Sequence, residues 1–459
     1  MKNRKFYSFL VIVLALVLLF LKFNSLFIES DLMWDASVYI GMGKYIYSGG
    51  KSGLWESSRA LIWPLIIGFF WKVKIDYIFW AKFIAVLLSV CCVILAYIIS
   101  KEIFDSRTGF YTALFFALSP AFFLLGNMPL SDIPSAFFLL LGVHFFIRRM
   151  HKHSGFFFGL SFMTRFFQIF FLIPILMIYI FLLARGKIKL AKFFGFILFF
   201  SIPILLFLLL NLHLYGNLFY PFAVQSFMTN FTGWIFHQSL SYYFVNIFKE
   251  NYLVLFSLAG VALLLKQGDA DKILVLLMFV VPFIIYNFAG HKEMRFMISI
   301  LPFLFMLASS GFLHIVDLFK KNQKVVLFVL LAVFMIQVYP QLKFYKHNSN
   351  FDVFYDYIKM TTQNSGIWVS NPSFIVYSSK KADELIYYPL YGSEKARELQ
   401  NKASGANLVM LNTCDILPCR TDDTTCVDET FRFIKILKNE MRLIHNVNVA
   451  DCDYFIFEK

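Results

Sequence analysis

Apolar residues run through this chain in blocks of about twenty, the length a bilayer core requires of a spanning helix. The first block, Phe6 to Ile28, follows the basic start MKNRK and lacks a small-residue cleavage site. It therefore reads as a span with its N-terminus inside, not as a removed leader. Further blocks at 76–100, 109–126, 133–148, 190–211, 250–266, 272–289, 296–317 and 324–340 fit one span each. The run 155–184 is too long for one and reads as two short helices meeting near Thr164-Arg165. The pattern predicts an all-α polytopic membrane protein with about eleven transmembrane helices.

After Pro340 polar residues interrupt every apolar run. IWVSN, NLVMLN and DYFIFE look like strands, while FDVFYDYIKM, EKARELQNKA and DETFRFIKILKNEMRLI look helical. The chain thus divides into a transmembrane domain, 1–340, and a small extracytoplasmic α/β domain, 341–459. No phosphate-binding loop or nucleophile motif is visible in the second.

Composition agrees: 59% of the 459 residues are hydrophobic, 15% are charged, and sixty are phenylalanine. The net charge of +14 does not point to nucleic acid, because the bases gather in alternate loops. Lys2/Arg4/Lys5, Lys101/Arg107, Arg148/Arg149/Lys152, Arg185/Lys187/Lys189/Lys192, Lys266/Lys272 and Lys320/Lys321/Lys324 all fall on one side, the cytoplasmic one. An odd number of spans then puts the C-terminus outside. There Cys414, Cys419, Cys426 and Cys452 are expected to pair as disulfides; zinc competes as a reading, but no C-x-x-C is present. Cys91 and Cys92, inside an apolar run, read as small buried hydrophobes.

Candidate chemistry lies in the loops assigned outside. Glu29 to Pro64 carries Asp31 and Asp35 with Glu56 and Arg59. Asp31 and Asp35 are four apart, so a helix over DLMWDASVYIGMGKYIY would put both carboxylates on one face. The plainer reading is a solvated amphipathic helix, with Glu56 and Arg59 paired to each other. Trp55 and Trp63 read first as interface anchors. NMPLSDIPSAFF offers Asp132 as an acid or as the start signal of the next helix. Arg165 is a cation at a helix break, or a residue reaching to the interface. Leu212–Glu250 is aromatic-rich and reads as short interfacial helices, with a sequon at Asn230-Phe-Thr232. HKEMRF, His291 to Phe296, is the exception to the charge rule, a basic cluster squeezed between two spans on the outer side. His291, Lys292 and Arg295 there suit a phosphate, with Glu293 steadying Arg295; a structural clamp between helices is the alternative.

HKEMRF resembles the H-K-E-x-R-F signature of multi-spanning α-mannosyltransferases that use dolichyl-phosphate-mannose, and GLWESSRALIWP is loosely similar to that family's first loop. NMPLSDIPSAFF and the GLSFMTR run ending at Arg165 are similar to segments of the wider C-type (GT-C) glycosyltransferase superfamily. That superfamily includes protein O-mannosyltransferases and aminoarabinose transferases. The separated Asp31 and Asp35 depart from the family's paired acids.

The resemblance implies a GT-C-like fold and an inverting transfer, without metal or cofactor, from a polyprenyl- or dolichyl-phosphate sugar to a lipid-linked or protein acceptor. Asp35 is the first choice for general base, with Asp31 and Asp132 in reserve. Arg165, His291, Lys292 and Arg295 are the candidate phosphate ligands, supported by Glu56, Arg59 and Glu293. The implied setting is the plasma membrane of a prokaryote or the endoplasmic reticulum of a eukaryote. The rival class is a lipid or oligosaccharide transporter, which would place its polar residues near the midplane rather than at one face.

Overall fold

The computed structural model describes residues 2–28, 30–232, 235–267, 269–346, 351–386, 391–449 and 451–459. Its first half runs α1 Lys2–Ser25, α2 Trp34–Tyr47, α3 Ile62–Lys72, α4 Tyr77–Ile103, α5 Ser106–Ala117, α6 Pro120–Leu125, α7 Asp132–Ile147, α8 His151–Thr164 and α9 Leu172–Ala184. There follow α10 Leu190–Tyr215, α11 Tyr220–Thr232, α12 Tyr242–Glu250, α13 Ser257–Gln267, α14 Ala270–Phe288, α15 Leu301–Leu318 and α16 Gln323–Val338. Every expected span has a helical counterpart here. Among the described residues seven are long and apolar enough to cross a membrane, and an eighth if the pair bent by 112° at Asn251 counts as one. Two of the blocks are broken within the helix. The block 109–126 breaks at Ser119, where Pro120 can only begin a helix, and 155–184 breaks at Arg165 as expected.

Close helix contacts rest on glycine. A Cβ on Gly155 of α8 would lie 2.1 Å from the Phe196 carbonyl of α10, so these backbones touch where any larger residue would part them. At one end of the bundle the loops are tied by ion pairs: Arg148 to Glu102, Arg149 to Asp271 (3.0 Å) and Arg107 to Asp317 (2.9 Å). Four loops assigned to the same side by charge thus meet there.

The second domain contains α17 Asp352–Met360, β1 Ile367–Val369, α18 Ser373–Val376, β2 Glu384–Leu385, α19 Ser393–Lys402, β3 Leu408–Asn412, α20 Thr413–Ile416, α21 Cys426–Glu440, β4 Arg442–Val449 and β5 Cys452–Glu458. The sheet order is β2-β1-β3-β5-β4, with β1 parallel to β2 and β3 and the rest antiparallel. The helix expected through MRLI stops at Glu440, and RLIHNVNV instead pairs with β5 as an edge strand. Two disulfides form, Cys414–Cys452 and Cys419–Cys426.

This domain sits on the loop between α2 and α3 through a short strap. Gly53 donates to the Lys380 carbonyl and accepts from Ala382 N, both at 2.8 Å. Gly53 has φ +83°, and a Cβ there would lie 2.1 Å from the Gly41 carbonyl, so only glycine fits. Lys44, buried in α2, donates to the Val376 (2.8 Å) and Ser378 carbonyls, and Ser37 bonds Ser373 at 2.9 Å. With no carboxylate partner, burial pushes the Lys44 ammonium down to about 7.

Candidate active site

The domain rests on the helix that carries Asp35. Helix α2 starts at Trp34, after an extended Met33 whose side chain makes no cap. Asp35 therefore lies in the first turn, where the helix dipole favours a carboxylate. Asp35 Oδ1 accepts from Arg59 Nη2 at 2.7 Å, and Oδ2 pairs with Arg295 Nη1 across 260 residues. Arg59 Nε reaches Glu56 Oε1 at 2.9 Å, and that oxygen also accepts from Ser58 at 2.7 Å. Arg295 Nη2 donates to Glu293 Oε1 (2.8 Å), which His291 Nε2 also meets at 2.6 Å.

Arg165 enters from the break between α8 and the 3-10 turn Phe166–Phe171, where its extended backbone turns the side chain out of the helix. Its Nη1 lies 2.6 Å from Asp132 Oδ1, in the first turn of α7, and its guanidinium stands 5.1 Å from the Phe296 ring centre. The side chains of Asp35, Arg59, Arg165 and Arg295 are only 13–18% exposed. They surround a cavity of about 280 Å3 that Trp34, Gln225, Met228, Thr229, Phe236, His291 and Glu293 also line.

Burial alone would raise the Asp35 carboxyl, but the guanidiniums of Arg59 and Arg295 outweigh it and hold it well below the usual carboxylate range. Glu293 follows the same logic: burial raises it, and His291 and Arg295 bring it below its ordinary value. Burial works to discharge Arg295, while Asp35, Glu293 and Asp132 keep it charged. Each of these guanidiniums is already paired with a carboxylate, so an incoming anion must compete for them rather than find them idle.

A family model described as dolichyl-phosphate-mannose-protein mannosyltransferase matches residues 58–210. No curated protein sequence matches the chain. Among solved structures, apo ArnT from Cupriavidus metallidurans superposes with a TM-score of 0.64 at 10% identity, covering 99% of this chain and 98% of that one. The same protein bound to undecaprenyl phosphate gives 0.65 at 10% identity, over 98% of both chains. Archaeal oligosaccharyltransferase AglB from Archaeoglobus fulgidus, with an inhibitory peptide and a dolichol-phosphate, gives 0.60 at 12% identity, over 89% of this chain and 69% of that one. The chain has the GT-C glycosyltransferase fold. The matched stretch holds Arg59, Asp132 and Arg165; Asp35 and HKEMRF lie outside it and join it through the geometry of the cavity.

Within this GT-C frame the residues singled out from sequence divide in two. Asp35, Arg59, Arg165, His291, Glu293 and Arg295 line the cavity, with Glu56 and Asp132 directly behind. Asp31 does not share a helix face with Asp35, because α2 begins three residues after it. It accepts from Tyr355 Oη at 3.3 Å and lines a separate recess of about 20 Å3 with Lys82 and Asn127. Lys292 also points away, donating to the Gln238 carbonyl at 2.8 Å. Trp63 is buried and donates to the Pro129 carbonyl at 2.9 Å, so it anchors no interface. Trp55 bonds Tyr215 Oη at 2.7 Å. The sequon side chains at 230–232 lie outside the described residues.

Sequence reasoning missed the α11 wall, Gln225, Met228 and Thr229. Neutral residues in an aromatic stretch carry no charge signal, though their i, i+3, i+4 spacing on an amphipathic helix was available.

Proposed function

We propose that this chain is a glycosyltransferase moving mannose from a polyprenyl- or dolichyl-phosphate donor to a lipid-linked or protein acceptor on the extracytoplasmic side. The observation that carries the reading is the meeting of a carboxylate, Asp35, with the guanidiniums of Arg165 and Arg295 around one small cavity. Sequence-distant groups with opposed tasks converge there.

In this account the donor phosphate takes Arg165 and Arg295, and the competition releases Asp35 Oδ2 from Arg295. The acceptor hydroxyl gives its proton to Asp35 as its oxygen attacks the anomeric carbon. The bond from that carbon to the phosphate oxygen breaks, inverting the centre, and polyprenyl phosphate leaves with its charge held by the two guanidiniums. A general base contributes about 10²–10⁴-fold, and fixed cations at the leaving group add to it. The countercharge comes from arginine, so the reading assigns the step no metal. Both oxygens of Asp35 are committed to guanidiniums.

Sidedness is part of the proposal. Disulfides belong in an oxidising compartment, and the domain that carries them rests on α2 beside the cavity. The basic loops meet at the other end of the bundle. The test replaces Asp35→Asn in membranes supplied with polyprenyl-phosphate-mannose and an extracellular-face acceptor fraction. Transfer is expected to fall by at least about a hundredfold while the protein level holds. Unchanged transfer would remove Asp35 from the role of base.

A further inference from the structure

The groups lining the cavity differ in how much of their bonding capacity the protein itself consumes. Each carboxylate at the cavity is committed to a cation: Asp35 to Arg59 and Arg295, Glu293 to Arg295 and His291, and Asp132 behind them to Arg165. The neutral hydroxyls are mostly spent as well. Tyr39 bonds Ser131 (2.8 Å), Ser58 donates to Glu56 (2.7 Å), and Thr164 donates to the Leu160 carbonyl (2.7 Å). Gln225 is different. Its Nε2 donates once, to Thr229 Oγ1 at 3.3 Å, and Thr229 in turn donates to the Gln225 backbone carbonyl at 2.8 Å. Among the described residues the amide oxygen and second N–H of Gln225 take no other protein partner.

From this we infer that Gln225 reads hydroxyl groups of the transferred sugar, with Thr229 as the positioning residue that holds its amide. The inference rests on the transferase reading above and deepens it by naming what selects the sugar. An amide offers one donor and one acceptor side by side, which suits neighbouring hydroxyls of a pyranose. Thr229 sits one turn on along α11, and Met228 beside it supplies an apolar floor for the ring. The volume matters too: about 280 Å3 is at the bottom of the roughly 300–1,000 Å3 usual for ligand pockets. It accommodates a single sugar and its phosphate rather than a preassembled oligosaccharide. Gln225, Met228 and Thr229 carry no charge, so this wall itself offers an ammonium on the sugar no counter-ion and suits an uncharged monosaccharide.

The experiment compares two donors in membranes carrying the full chain: polyprenyl-phosphate-mannose, and the same lipid phosphate bearing an aminodeoxy sugar. Wild type is expected to use the first in preference. Gln225→Ala should lower kcat/KM for the mannosyl donor roughly tenfold, chiefly through KM, as loss of one or two hydrogen bonds requires. Gln225→Glu places a carboxylate at the wall and should shift preference towards the amino sugar. Thr229→Val, isosteric and without the hydroxyl, should raise KM while kcat and melting temperature hold. Equal losses on both donors, an unchanged KM in Gln225→Ala, or a wild-type preference for the amino sugar would each overturn the inference while leaving the transferase reading intact. Transfer from neither donor by wild type would bring both down together.

Discussion

Asp35 illustrates how one side chain is set by its neighbours. Two guanidiniums hold its carboxyl well below the usual range. Its ion pairs therefore stabilise the fold at every pH above that of an ordinary carboxylate and weaken only as the pH falls towards its own depressed value. A base so strongly ionised is a weak one, and it gains strength when a phosphate draws Arg295 away. Arg295→Gln removes one of the two clamps and a phosphate ligand together. The expected result is a loss of about 10²–10³ in kcat/KM. The acid limb of the pH–rate profile should also move up, towards the ordinary aspartate value near 4. A variant with wild-type rates and an unmoved acid limb would contradict this role. The same scale explains which residues were legible in the sequence. HKEMRF stood out because charge squeezed between two apolar runs is costly. Lys292 nonetheless lies off the cavity, since Glu293 is extended (φ −139°, ψ 145°) and alternation sends His291 and Glu293 one way and Lys292 the other.

At the scale of elements, α2 joins the cavity to the C-terminal sheet and its helices. Its first turn holds Asp35, Ser37 bonds Ser373, and Lys44 reaches the carbonyls at the end of α18. The Gly53 strap completes the seat and depends on a conformation that other residues resist. Gly53→Ala is expected to unseat the domain, exposing the loop at 380–382 to limited proteolysis and lowering transfer several-fold without any change to a cavity residue. An unaltered digestion pattern would show that the strap bears no load. Element boundaries were the weakest part of the reading from sequence. The acidic start DLMWD looked like a helix, yet α2 begins at Trp34, and that shift of three residues separated Asp31 from the cavity. The strand RLIHNVNV was hidden for a similar reason, because its first apolar residues continued the spacing of α21.

For the whole molecule, span positions were legible because the bilayer imposes a length that the chain records directly. The break at Arg165 was legible too, because 155–184 is too long for one span; the break at Pro120 was not, since a membrane protein tolerates shortened helices wherever neighbours bury their ends. What no local pattern recorded was the convergence of Asp35, Arg165 and Arg295 from three separated segments, which only the packed bundle displays. The account's central claim is that this convergence receives a lipid-linked phosphate. The most direct test is a structure of the full chain with a non-transferable polyprenyl-phosphate sugar. The account predicts the phosphate in contact with Arg165 and Arg295, with Asp35 freed from Arg295 and facing the anomeric carbon. A phosphate bound elsewhere, with the Asp35–Arg295 pair intact, would contradict it.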